Sequence, residues 1–344
     1  MRRLDMRRHF LCLSCTLLLA GWITTEANAQ ASEAEKHVAG AKTIASEPGL
    51  YDLTPTFKLL CTERKPRPQQ EAAANPANPR IPRVPERSQW YVEPVKVFDN
   101  LYNVGTEWYV WAVKTSAGVI LLNAGRDYAA ESVVENLQKV GLDPASVKYV
   151  ILHNADPANY GAAKLFQDRY KSRIMTSEAD WNVIAKSNEA PEQIKPRKDM
   201  VVKDGQKLTL GDTTLTIYIT PGNDSGTLST IVPLPDGNQR HVGLMVGGRD
   251  WDVAEQGVVY FPSEEVAIKT WIASANRLRD VAAKSNADVF LTVRGLYDQE
   301  KEKARVLKTR KPGDPHPYVN KAAVDRYLHV ISECQNAQLA WRTK

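Results

Sequence analysis

The residues best able to do chemistry gather in the stretch Tyr149-Val150-Ile151-Leu152-His153-Asn154-Ala155-Asp156-Pro157-Ala158-Asn159-Tyr160-Gly161-Ala162-Ala163. His153 offers an imidazole that can ligate a metal or move a proton, and Asp156 offers a carboxylate for either task. Neither a second imidazole nor a thiolate is near them in sequence, so the pair falls short of the three protein ligands that a catalytic zinc needs. His153 directly follows an apolar run, a place that suits a hydrogen-bonded structural histidine better than a ligand or base. Asp156 is read first as one half of an ion pair in a polar pocket. Ser225 and Thr227 sit in the loop Thr220-Pro221-Gly222-Asn223-Asp224-Ser225-Gly226-Thr227. No G-x-S-x-G or Ser-x-x-Lys pattern surrounds any serine, so a serine nucleophile is unsupported. Arg249 has the geometry to clamp an anionic ligand, or to pair with Asp250 or Asp252 on the surface. His241, His316 and His329 have no paired spacing and read as structural or exposed, and Trp108, Trp111, Trp181, Trp251 and Trp271 read as core or rim packing.

These residues need elements to hold them. Tyr149–Leu152 is apolar and β-prone, a short buried strand, and residues 160–170 follow as a helix. A loop between the carboxyl end of a strand and a helix is where α/β folds place their chemistry. Upstream, Val95–Val104 and Trp108–Lys114 predict strands, and Gly118–Leu122 a continuous apolar strand ending at Asn123-Ala124-Gly125. Asp127 opens a helix running to about Val140. Downstream come a strand at Arg173–Thr176, a helix opening at Ser177, and β pattern from Met200 to Val232. Lys203-Asp204-Gly205-Gln206 and Leu210-Gly211-Asp212-Thr213 read as hairpin turns. His241–Val246 and Asp288–Leu291 are strands. Helices cover Ser263–Lys284 and begin again at Asp298 and Lys321. A β-rich half with its helices is thus followed by another, which predicts an α/β fold with two sheets between helical layers, an αββα sandwich.

The first 29 residues read as a signal peptide and are set apart from the fold. Arg2, Arg3, Arg7 and Arg8 form a basic start, Leu11–Ile23 an apolar run too short for a stable membrane span, and Ala27-Asn28-Ala29 a cleavage site. The expected location is periplasmic or secreted. Without this segment the formal charge falls from +5 to about +3 and no basic stripe remains, which argues against nucleic acid as a partner. Residues 30–89 read as an extended N-terminal arm, rich in Pro, Arg, Ala and Asn over 64–88, and 90–344 as one large domain. Cys61 and Cys334 are the cysteines left after cleavage. An even pair in an oxidising compartment predicts a disulfide between the arm and the last helix, against the alternative of two buried thiols.

The central stretch also resembles the metallo-β-lactamase superfamily, closest to the subclass-three enzymes and their non-lactamase relatives. In that family the strand runs into H-x-H-x-D-H. Further motifs fall in the same order along Val95–Trp341. They are Leu121-Leu122-Asn123-Ala124-Gly125, then Thr220–Thr227 in place of T-P-G-H-T-x-G, then Leu291-Thr292-Val293-Arg294 at the strand end that presents the last histidine. The resemblance implies two zinc ions held by five histidines and one aspartate. The matching positions here are Asn154, Asp156, Ala158, Asn159, Asn223 and Arg294, and Asn123 replaces an aspartate that braces the ligand loop. A neutral amide is a weak zinc ligand, Ala158 offers none, and Arg294 is permanently cationic.

The resemblance therefore implies a degenerate pocket of Asn123, His153, Asn154, Asp156, Asn159, Asn223, Arg249 and Arg294, with no cofactor where the family uses zinc. We expect Arg294 to replace the metals as the counter-charge of Asp156, directly or through one water, and Asn154, Asn159 and Asn223 to complete the hydrogen bonds around the pair. The functional expectation is a non-catalytic binding or scaffold protein for a small polar ligand or a protein partner. The alternative is a hydrolase with an atypical or single metal.

Overall fold

A computed structural model describes residues 33–47, 49–63, 84–187, 190–248, 260–294 and 299–342. The first helix, α1, covers residues 33–45, followed by α2 (Thr54–Leu60) and α3 (Arg87–Trp90). Seven strands then build one sheet: β1 (Val95–Lys96), β2 (Leu101–Asn103), β3 (Trp111–Thr115), β4 (Gly118–Leu122), β5 (Val147–Ile151), β6 (Arg173–Thr176) and β7 (Met200–Val201), side by side in chain order. Between them lie α4 (Ala130–Lys139), α5 (Pro157–Tyr160), α6 (Ala163–Arg169) and α7 (Glu178–Lys186). The second sheet has five strands, β8 (Gln206–Leu210), β9 (Thr213–Ile219), β10 (Leu228–Asp236), β11 (Gln239–Val246) and β12 (Val289–Leu291), in the order β12-β11-β10-β9-β8. The chain continues through α8 (Glu264–Ser285), α9 (Glu300–Thr309) and α10 (Lys321–Arg342).

Strand periodicity explains the layering. Successive side chains of a strand point to opposite faces. On β4, Val119 and Leu121 join the cluster packed with Val133, Leu137 and Phe166 from α4 and α6. Ile120 and Leu122 face the other way, into the space between the sheets, where they meet Leu215, Val232, Met245 and Leu291. A strand buried on both faces reads as an unbroken apolar run, which is what Gly118–Leu122 is. The second sheet repeats the arrangement, with Met245 turned to the inter-sheet core and Leu244 and Val246 turned to Trp271, Leu278, Leu328 and Ile331 of α8 and α10. The result is the expected αββα sandwich. The parallel part of the first sheet, β4 to β7, points its carboxyl ends at one edge.

Three expectations are corrected. Val95–Val104 is not one strand: Val95 and Lys96 pair back on Asn103 and Tyr102 as a hairpin. The turn at Asp99-Asn100 is stabilised by the Asp99 carboxylate accepting the Gly237 amide at 2.8 Å. Lys203-Asp204-Gly205-Gln206 is not a hairpin turn but the crossing between the sheets, since β7 ends the first and β8 opens the second. The arm is not extended over its first half. Residues 33–45 and Thr54–Leu60 are helical, and Ala41, Ala45 and Leu60 pack into the α8–α10 cluster. Their apolar residues have a partner surface there, which composition over 64–88 does not reveal.

Cys61 and Cys334 form a disulfide that joins the end of α2 to the middle of α10. Among the described residues no helix is long and apolar enough to cross a membrane. The expected signal segment lies outside the described residues.

Candidate functional site

The site is assembled where β4 and β5 end and the loop into α5 begins. Asn123 takes a left-handed backbone conformation, φ 65°, which asparagine tolerates better than most residues. From there its Oδ1 accepts the His153 backbone amide at 2.9 Å and faces His153 Nδ1 at 3.2 Å. It therefore braces the loop. Its Nδ2 is buried and meets no acceptor among the described residues.

His153 is fully buried. Nδ1 faces the Asn123 carbonyl oxygen, which can only accept, so the ring proton belongs on Nδ1 and Nε2 accepts from the Thr230 hydroxyl at 2.9 Å. Burial lowers its pKa to about 3, so the ring is neutral. Both nitrogens are used inside the protein, and of the two readings the structural one holds.

The asparagines form a chain. Asn154 Nδ2 donates to the Gly247 carbonyl at 2.8 Å. Asn154 Oδ1 accepts the Asp156 amide at 3.1 Å and Asn159 Nδ2 at 2.5 Å. The approach of Gly247 needs a glycine: an added Cβ would stand 1.9 Å from the Leu228 carbonyl oxygen and 2.7 Å from the His153 Cβ. Asp156 caps α5, its Oδ1 accepting the Ala158 amide at 2.7 Å. Ala158 is buried.

Arg294 is not where the sequence placed it. The backbones of Trp108 and Arg294 pair as an antiparallel bridge, and the guanidinium lies over the Trp108 ring, 4.6 Å from its centroid. No ion pair links it to Asp156 among the described residues. The frame is right and the direction of the side chain is wrong, because the bridge to Trp108 sets that direction. Asn223 also departs from expectation: it is partly exposed and its side chain makes no hydrogen bond among the described residues. Arg249 lies outside the described residues.

The next residue along, Asp224, makes a contact between the two loops that Asn223 does not. Its Oδ2 accepts the Ala155 amide at 2.8 Å, tying the β9–β10 loop to the central loop. Its Oδ1 accepts the Thr227 hydroxyl at 2.6 Å and the Gly226 amide at 3.2 Å. Behind it stands Asp180 in the first turn of α7, fully buried, and no cation pairs with either carboxyl among the described residues. Burial first, then the Asp224 carboxylate, push the Asp180 carboxyl well above its ordinary range, so it keeps its proton. Its Oδ1 is buried and has no hydrogen-bond partner among the described residues. Gly226 is required here too, since an added Cβ would stand 2.1 Å from both Asp180 Oδ1 and Ser177 Oγ. Sequence reading missed both acids. The available signal was Asp224-Ser225-Gly226-Thr227, a carboxylate with a hydroxyl and a glycine at turn spacing.

No protein-family model matches the chain. Solved structures do. The chain superposes on the subclass B3 metallo-β-lactamase BJP-1 of Bradyrhizobium japonicum with a TM-score of 0.62 at 24% identity, covering 74% of this chain and 96% of that one. Native FEZ-1 metallo-β-lactamase from Legionella gormanii matches with a TM-score of 0.59 at 20% identity over 69% and 92%. The class B3 di-zinc metallo-β-lactamase LRA-12 from an Alaskan soil metagenome gives 0.59 at 17% over 74% and 97%. This chain has the metallo-β-lactamase fold.

The described residues at this site do not fit zinc. Among the described residues no group of three His, Cys, Asp or Glu could hold a metal ion. Asn154 spends its oxygen on two donors, Asn159 turns its nitrogen towards Asn154, and Asp156 Oδ1 caps a helix. Arg294 has no lone pair for a metal and lies over Trp108, and His153 uses both nitrogens.

Proposed function

We propose that this is an exported metallo-β-lactamase-fold protein that works without zinc, as a non-catalytic binding or scaffold protein whose cleft takes a small polar ligand. The observation that carries this reading is the double acceptance at Asn154 Oδ1, which receives both Asn159 Nδ2 and the Asp156 amide. The Asn154 and Asn159 side chains hold each other, and the Asp156 carboxylate is engaged by the Ala158 amide at the start of α5. A zinc-bound water has its pKa lowered to about 7, and that nucleophile needs several imidazoles or carboxylates aimed at one point. The Cys61–Cys334 disulfide and the Arg-flanked apolar segment before residue 30 support export.

The proposal is tested by assaying the purified mature protein against a penicillin, a cephalosporin and a carbapenem, with and without added zinc. The expected result is no turnover above the buffer rate in either condition. Turnover that appears with zinc and disappears with chelator favours the alternative, a hydrolase with an atypical or single metal.

A further inference from the structure

Trp108 carries two guanidiniums, not one. Arg294 lies 4.6 Å from the indole centroid and Arg126 5.3 Å from it. The two come from different places. Arg126 follows the end of β4, just past the Asn123 brace, and Arg294 follows β12 in the second sheet. The bridge between Trp108 and Arg294, with the Trp111 Nε1 donating to the Thr292 carbonyl at 2.9 Å, fastens these segments at the edge that holds the candidate site.

Both arginines are half-buried, and neither side chain makes an ion pair or a hydrogen bond among the described residues. Trp108 is 5% exposed, so it supports the arginines and offers no ligand surface of its own. A guanidinium has five N–H donors, and contact with a ring face satisfies none of them. A partly buried charge with unmatched donors is unfavourable until an acceptor arrives. Two such groups lie against one ring.

The surrounding acids limit what can enter. Glu107 precedes Trp108, its Oε1 accepts the Tyr128 hydroxyl at 3.0 Å, and its Oε2 is buried without a donor. Asp127 follows Arg126 and is exposed. These carboxylates offset part of the positive charge, which favours a carboxylate group, carrying one charge, over a more highly charged phosphate group. Planar guanidinium engages such a carboxylate bidentately.

We infer that Arg126 and Arg294, both held against Trp108, form a binding site for the carboxylate of a small organic acid, zwitterionic acids included. This inference rests on the proposed metal-free cleft, because it gives Arg294 a ligand-binding task at a position the family uses for a metal ligand.

The test is titration of the mature protein with succinate at low ionic strength, followed by the side-chain Nε–Hε NMR signals of Arg126 and Arg294, with inorganic phosphate as the second probe. Succinate is expected to shift both signals saturably and to bind more tightly than phosphate. Arg126→Ala and Arg294→Ala should each weaken binding roughly tenfold or more. Arg126→Lys and Arg294→Lys keep the charge and should also weaken it, which guards against a variant that fails to fold. Glu107→Gln removes a competing acceptor and should tighten it. Absence of a saturable shift overturns the site, as does binding that all the arginine variants leave unchanged. Tighter binding of phosphate than of succinate overturns the carboxylate assignment. Zinc content measured on the same sample separates the two readings: stoichiometric zinc contradicts the metal-free cleft whatever the titration gives, and a zinc-free protein that ignores succinate contradicts this site alone.

Discussion

The side-chain amide of Asn159 donates to Asn154 Oδ1 at 2.5 Å, and the same oxygen accepts the Asp156 backbone amide at 3.1 Å. One neutral side chain thus organises the turn between β5 and α5. An amide can do this because it accepts and donates at once, and Asn154 Nδ2 reaches on to the Gly247 carbonyl.

Asn154→Ala would leave the Asn159 and Asp156 donors and the Gly247 carbonyl without partners in a buried loop. Each such loss costs about 1–3 kcal/mol, partly relieved by entering water. We expect a total of roughly 2–4 kcal/mol, read as a lower urea midpoint at unchanged slope. A loss under about 0.5 kcal/mol would mean that the chain of amides is incidental.

His153 gives a pH dependence of known sign. Its folded pKa, about 3, lies below the ordinary 6.5. Above pH 6.5 both states are neutral and the group contributes nothing to the pH dependence. Between 6.5 and about 3 the unfolded chain binds a proton that the folded chain refuses, so stability falls as pH falls. The slope approaches about 1.4 kcal/mol per pH unit. His316, also lowered by burial, adds in the same direction. The isolated term is the difference between wild type and His153→Gln, measured by urea unfolding from pH 7 to 5. Parallel profiles for the two proteins would show that the ring accepts a proton in place.

Asp180 has the opposite sign. Its folded pKa is raised, so the unfolded chain releases a proton that the folded chain keeps, and stability is lost as pH rises above the ordinary carboxylate range. Asp180→Asn keeps the shape and offers an N–H to Asp224 with no proton to lose. The variant should have a higher melting temperature than wild type, by a margin that grows from pH 5 to 8. A lower melting temperature at all these pH values would mean that the pair is not held by a retained proton.

Reduction of Cys61–Cys334 should lower stability. The bridge spans 273 residues of sequence and fastens the N-terminal helices to α10. In the chain-entropy model closing so long a loop contributes roughly 4–5 kcal/mol. The check is the urea midpoint with and without reductant, together with thiol titration of the unfolded, unreduced chain, which should find none at these two positions.

Much of the fold is legible in the sequence because its central strands are buried on both faces. Gly118–Leu122 and Tyr149–Leu152 admit few alternatives to buried strand, and the helices after Ser177 and Ser263 announce themselves by caps that the structure contains. The site is legible only as a frame. Motif order identifies which loops meet, and Asn123, His153, Asn154, Asp156 and Asn159 do gather at the end of β5. Side-chain direction is not encoded in that frame. Arg294 follows its backbone bridge to Trp108, and the acid that ties the loops is Asp224 and not Asn223. Asp180 and Asp224 meet only through tertiary packing of α7 against the β9–β10 loop, so no local pattern joins them.

Elemental analysis of the purified mature protein tests the central claim most directly. After dialysis without chelator the account predicts no stoichiometric zinc, and the same result for Asn154→His alone, since one restored imidazole does not complete a tetrahedral site. About one zinc per chain in the wild-type protein, removed by chelator and regained on adding the metal, would contradict it.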